Sequence, residues 1–138
     1  MGIAENISAI RATLLDGVSL IAVSKFHPAE AVMEAYSAGQ RDFGESRVQE
    51  LSAKAPALPD DIHWHFIGHL QTNKVRQLIP HVDTIQSVDS VRLLRLIDSE
   101  AARIGRTVNV MMQVHVAREE TKFGFAPEEL LDALTPEL

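Results

Sequence analysis

The chain has 138 residues, 46% of them hydrophobic and 23% charged, a size and balance that suit one soluble globular domain able to bury a core. Its net charge of −6 is spread without a basic cluster, so there is no Lys/Arg stripe for counterion-releasing nucleic-acid binding. Cysteine is absent, which excludes disulfides, thiolate metal ligands and a cysteine nucleophile, and fits a reducing compartment.

The opening "MGIAENISAIRATLLDG" sets Ile3, Ile7, Ile10 and Leu14 at helical spacing and ends at Gly17. Charges at Glu5, Arg11 and Asp16 interrupt it, so it reads as neither a signal peptide nor a membrane span, and Asn6 breaks the myristoylation pattern. A cytoplasmic protein without membrane contact is expected. "SLIAVSK" reads as a short buried strand. Pro28 suits the first turn of the helix "PAEAVMEAYSAG", whose glycine stands where a C-cap belongs. "RDFGES" is a second strand and "RVQELSAKAP" a helix. "DIHWHFIG" is extended, "TNKVRQLIPHV" helical, "DTIQSV" extended and "DSVRLLRLIDSEAARIG" helical. "TVNVMMQVHV" is extended and "APEELLDAL" helical.

Five strands, each followed by a helix, argue for an α/β domain with a parallel sheet, either doubly wound or a (β/α) barrel. No repeat, linker or low-complexity tract divides residues 1–138, so a single domain is expected. A closed barrel needs eight units and typically about 250 residues. Five units leave either an open sheet or part of a longer barrel.

Alternation sorts the faces of the strands. Val108, Val110, Met112, Val114 and Val116 share one face of strand five, with Asn109, Met111, Gln113 and His115 opposite. Ile62, Trp64 and Phe66 oppose His63, His65 and Ile67 in strand three. The apolar faces belong to the helix layer; the polar ones point inward, where a barrel holds a polar ligand. Taken singly, each of these histidines also reads as a hydrogen-bonded core residue.

Lys25 shares its face with Ile21 and Val23 at the carboxyl end of strand one, the end at which α/β folds bind ligands. A buried lysine there would lose proton affinity and become a nucleophile able to condense with an aldehyde; the plainer reading is a surface lysine that ends a strand. Thr72 is placed to cap the next helix, with Asn73 and Lys74 in its first turn, where free amides can receive an anion.

Read together, "AVSKFHPAEAVMEAYSAGQRDFGESRVQE", "WHFIGHLQTNK" and "KFGF" resemble the YggS/PROSC family of pyridoxal 5′-phosphate homeostasis proteins over essentially the whole chain. The elements that carry the resemblance are S-K-x-x-P, F-G-E-x-x-V-Q-E and H-F-I-G-x-L-Q-x-N-K. It implies a (β/α) TIM-type barrel of the alanine-racemase N-terminal domain type, of which about five βα units are present. It also implies pyridoxal phosphate held as an internal aldimine on Lys25. The family is regarded as a cofactor carrier acting in vitamin B6 and amino-acid balance, without catalytic turnover, and PLP-dependent apo-enzymes are its implied partners.

Lys122, in "ETKFGF", matches a second family lysine suggested to assist cofactor transfer, against the plainer reading of a solvated loop lysine. Ser46 stands where many members have asparagine and His27 where lysine or glutamine is commoner. The expected cofactor-binding set is thus Lys25, Ser46, His65, Asn73 and Lys122, with no catalytic residue and no metal. In the family the phosphate is gripped mainly by segments beyond residue 138, so these residues alone are expected to bind the cofactor poorly or not at all.

Two further readings stay open. His63 and His65, two apart on one strand face, have a spacing that can bring two imidazoles to one metal in a barrel hydrolase. A PLP-dependent racemase or decarboxylase would need an opposing acid/base such as a tyrosine, yet the only tyrosine, Tyr36, falls in the first crossover helix. A half-barrel that folds or swaps without ligand is the structural alternative.

Overall fold

The computed structural model describes residues 2–114 and 124–134. Helix α1 (Ile3–Arg11) leads into β1 (Ala22–Val23), α2 (Ala29–Ser37), β2 (Asp42–Glu45), α3 (Val48–Lys54) and β3 (His63–Phe66). There follow α4 (Val75–Leu78), β4 (Thr84–Val88), α5 (Val91–Arg103), β5 (Asn109–Met112) and α6 (Pro127–Ala133). Every strand and crossover expected from the alternating pattern is present, in order.

The described strands form one sheet in the order β1-β2-β3-β4-β5, each pair parallel. This decides between the two candidate architectures. A doubly wound sheet reverses its strand order at a switch point, so that helices fall on both faces. Here neighbours in sequence are neighbours in the sheet throughout, and right-handed crossovers then put all the helices on one side. The sheet is a stretch of (β/α)-barrel wall.

Register fixes which side chains share a face. Ala22 pairs with Phe43 and Phe43 with Trp64; Glu45 pairs with Phe66, Phe66 with Ile85 and Ile85 with Val110. Phe43, Trp64, Phe66 and Ile85 are buried against the helix layer, where Val32, Leu51, Val75, Leu78, Leu93 and Ile97 meet them. Phe43 and Trp64 pack with ring centroids 5.9 Å apart, a separation favourable for tilted aromatic pairs. The opposite face carries Val23, Asp42, Gly44, His63, His65, Thr84 and Asn109. This is the division expected from alternation, with the polar face on the barrel's inner side.

Local signals explain most element ends. Gly39, just past α2, adopts φ +99°, a left-handed conformation open to glycine at a helix C-terminus. Ser90 caps α5 by accepting from the Leu93 N–H at 3.1 Å, and the apolar stripe Leu93, Ile97, Ala101 faces the core. Three elements are shorter than the sequence suggests. Helix α1 stops at Arg11, well before Gly17, because only Ile7 on its apolar stripe is deeply buried. Among the described residues strand β1 has a single neighbour and pairs over two residues. The segment expected as one helix from Thr72 is a 3₁₀ turn (Thr72–Lys74) followed by the one-turn α4, beyond which Pro80 offers no N–H to the ladder.

Candidate functional site

The loops that leave the carboxyl ends of the strands converge on one edge of the sheet. Lys25 stands in the turn that follows β1, and its side chain is exposed, as is Val23 at 49%. Of the two readings of this lysine, the exposed one is what these residues show. Among the described residues no hydrogen bond or ion pair engages its ammonium group.

The backbone on either side of Lys25 is held from beneath. Glu45, at the end of β2, is fully buried and accepts from Ser24 Oγ at 2.9 Å and from Lys54 Nζ at 2.7 Å. Lys54 Nζ also donates to the Ser24 carbonyl at 2.8 Å and to Glu50 Oε2 at 2.8 Å, so all three of its donors are used. Glu50 Oε2 in turn accepts the Phe26 N–H at 2.7 Å. Ser24 further pairs its N–H with the Gly44 carbonyl, and its own carbonyl takes the His27 N–H at 3.0 Å. Phe26 sits at φ +66°, a left-handed conformation unusual for an aromatic residue, with the Arg47 guanidinium 4.8 Å from its ring centroid.

Partial burial pushes the Glu50 carboxyl upward, but the Lys54 hydrogen bond and the Phe26 N–H outweigh it and hold it below the ordinary glutamate value. Ions taken out of water lose several kcal/mol each, offset only where geometry and hydrogen bonding are this complete. Glu45, Glu50 and Lys54 were not singled out from sequence, although both glutamates stand in the F-G-E-x-x-V-Q-E segment.

Ser46 follows β2 and is half-buried. Gly68, just after β3, crosses directly over it: a Cβ at Gly68 would overlap the Ser46 carbonyl oxygen and come within 3.0 Å of its Cα. That close approach is the reason for the glycine in "HFIG". A cleft of about 370 Å³ opens here, lined among others by Ser46, Arg47, His69, Gln71 and Lys74. Asn73 is exposed and outside this lining. Thr72 makes no capping hydrogen bond, and the helix after it is one turn long, which removes the expected row of amides facing an anion. Lys122 and His115 lie outside the described residues.

His65 is placed on the inner face, lower in the wall. Its Nε2 lies 2.9 Å from Asp42 Oδ1 and its Nδ1 3.1 Å from Gln86 Nε2. With the amide nitrogen as donor, Nδ1 accepts and the ring proton is assigned to Nε2, facing Asp42. His63 Nδ1 approaches the same carboxylate at 3.4 Å. Both ring nitrogens of His65 are thus engaged within the chain. Among the described residues no group of three or more His, Cys, Asp or Glu could hold a metal ion, so the paired histidines carry no support for a metal-dependent hydrolase. Tyr36 is at the other end of the sheet, its hydroxyl donating to Asp61 at 2.7 Å.

Comparison with known proteins bears on this arrangement. The family model "Alanine racemase, N-terminal domain" matches residues 2–136. The pyridoxal phosphate homeostasis protein of Schizosaccharomyces pombe is 43% identical over 117 residues, covering 83% of this chain and 49% of that protein. PipY of Synechococcus elongatus, solved with PLP bound, superposes with a TM-score of 0.87 at 46% identity, over 93% of this chain and 60% of its own. Alanine racemase of E. faecalis, at 20% identity and a TM-score of 0.73, shares the fold. The chain spans about half the length of the curated relatives it matches. With strand order, fold and sequence in agreement, this chain belongs to the alanine racemase N-terminal domain family and is similar within it to the pyridoxal phosphate homeostasis proteins.

Proposed function

We propose that the chain carries pyridoxal 5′-phosphate on Lys25, as part of a protein that balances intracellular vitamin B6 and amino acids. The observation that carries this reading is the placement of Lys25. It is a primary amine without a partner among the described residues, on a held turn at the carboxyl end of a parallel strand. That is the donor an aldehyde-bearing cofactor needs, and PipY, at 46% identity, has been solved with PLP bound. When bound, the cofactor supplies an aldehyde that condenses with a primary amine, losing one water to give a C=N bond.

This chain's own residues then have separate parts. Lys25 supplies the amine, Ser46 and Asn73 supply polar contacts from the loops after β2 and β3, and His65 keeps the inner face polar beneath. Lys122 passes the cofactor onward, and PLP-dependent apo-enzymes in the cytoplasm receive it. The role is carriage without turnover. In support, Tyr36, the chain's single tyrosine, is tied to Asp61 at the far end of the sheet from Lys25. No described helix is long and apolar enough to cross a membrane.

The test is borohydride trapping at saturating cofactor, which captures even a weakly held adduct. A visible absorbance band that is lost in Lys25→Ala, together with a reduced label mapped by mass to Lys25, is the expected result. A label spread over other lysines with no preference for Lys25 overturns the assignment.

A further inference from the structure

We infer that Glu45, Lys54 and Glu50 form a positioning unit whose task is to fix the turn that presents the Lys25 amine. This rests on the reading of Lys25 as the cofactor-bearing residue. Lys54 and Glu50 bond the backbone of residues 24 and 26, Glu45 accepts from the Ser24 hydroxyl, and none of the three is bonded to the Lys25 side chain. Ser24 is bound through both its hydroxyl and its carbonyl, and Phe26 through its N–H, so the peptides on both sides of Lys25 are held.

A buried ion cluster is a poor way to gain stability, since apolar side chains of similar volume often serve as well or better; on this inference the cluster here is kept for the one geometry it enforces. The geometry enforced here includes a left-handed Phe26, which persists only where surrounding contacts over-determine it. Among the described residues strand β1 pairs over only two positions with one neighbour, which supplies little of that order. The network reaches across from β2 and α3 and supplies it instead.

Glu50 is the member to change, because it is partly accessible and its loss leaves the Glu45–Lys54 pair intact. Hydrogen exchange at the Phe26 amide reads the turn without cofactor, and the borohydride label on Lys25 reads its presentation. In Glu50→Ala the Phe26 amide is expected to exchange at least about tenfold faster and the Lys25 label to fall by about tenfold, as loss of a hydrogen bond to a charged acceptor implies. Glu50→Gln, which keeps an acceptor oxygen, should restore both to within about threefold. The far-UV spectrum and the exchange of helix α5 amides should not change, which separates this effect from general unfolding.

A Glu50→Ala protein with unchanged Phe26 exchange, or with faster exchange and an undiminished Lys25 label, overturns the inference. If the unsubstituted chain takes no label at Lys25, it is the carrier reading that fails, and the Phe26 amide alone then decides whether the network holds the turn.

Discussion

The two ends of the sheet are held by different kinds of charge. At the amino-terminal end, Arg41 and Asp61 pair at 3.2 Å with side chains 37% and 55% exposed, and Arg106 reaches Asp83 at 3.5 Å. At the carboxyl end, Lys54 and Glu45 pair at 2.7 Å with 10% and 0% exposed. Exposed pairs are screened by water and salt and hold little; buried ones are costly to form and more costly to break. The contrast teaches where the chain needs a single geometry. On the inference above, that place is the turn beneath Lys25, where the buried pair lies.

The largest expected effect comes from breaking the buried pair. Lys54→Met removes the buried cation that faces Glu45 and leaves it only the Ser24 hydroxyl, and should lower unfolding free energy by about 3–5 kcal/mol, read as a fall in the urea midpoint. Replacing both partners, as Glu45→Leu with Lys54→Met, should recover most of that loss. The double variant should still fail to restore the Lys25 label, and this sharpens the distinction between stability and positioning. Next in size is Gly68→Ala, whose methyl group must displace the Ser46 backbone. A cost of about 1–3 kcal/mol is expected in the same titration, the range for forced overpacking.

Acid should then separate the two ends. The Glu50 carboxyl is depressed in the folded chain, so its contribution is complete above the unfolded glutamate's titration and is lost as pH falls through the folded value. Glu50→Gln should flatten that acid-side slope of stability, measured by denaturation across pH. The smallest effect belongs to the exposed end. The hydrogen bond to Asp61 raises the Tyr36 phenol above its ordinary value and holds the Asp61 carboxyl below its own. Asp61→Asn should bring the Tyr36 titration back toward normal while leaving the urea midpoint in place. A midpoint that moved as far as in Lys54→Met would break the contrast between the ends.

Much of this was legible in the sequence, and the rest was hidden for definite reasons. Period-two alternation sorted Trp64 and Phe66 from His63 and His65 because register in a parallel sheet preserves faces. The element order followed from the repeated switch between strand and helix patterns. The extent of β1 and α4 was not readable, since edge pairing and the exit at Pro80 are settled by neighbours and not by propensity. The choice between a buried and an exposed Lys25 was not readable, because alternation tells which face a residue is on and not whether that face is covered. The network beneath it was invisible for another reason. Ser24, Glu45 and Lys54 are separated by up to 30 residues, and scattered polar and charged residues look like solvated surface in sequence until the fold closes around them.

The saturation of Lys54 has a chemical corollary. Of the lysines at this sheet edge, Lys54 has every proton committed to an oxygen, whereas among the described residues Lys25 and Lys74 have none so engaged. An electrophile arriving there finds Lys54 closed to it and Lys25 open, so occupancy alone separates these two chemically identical groups.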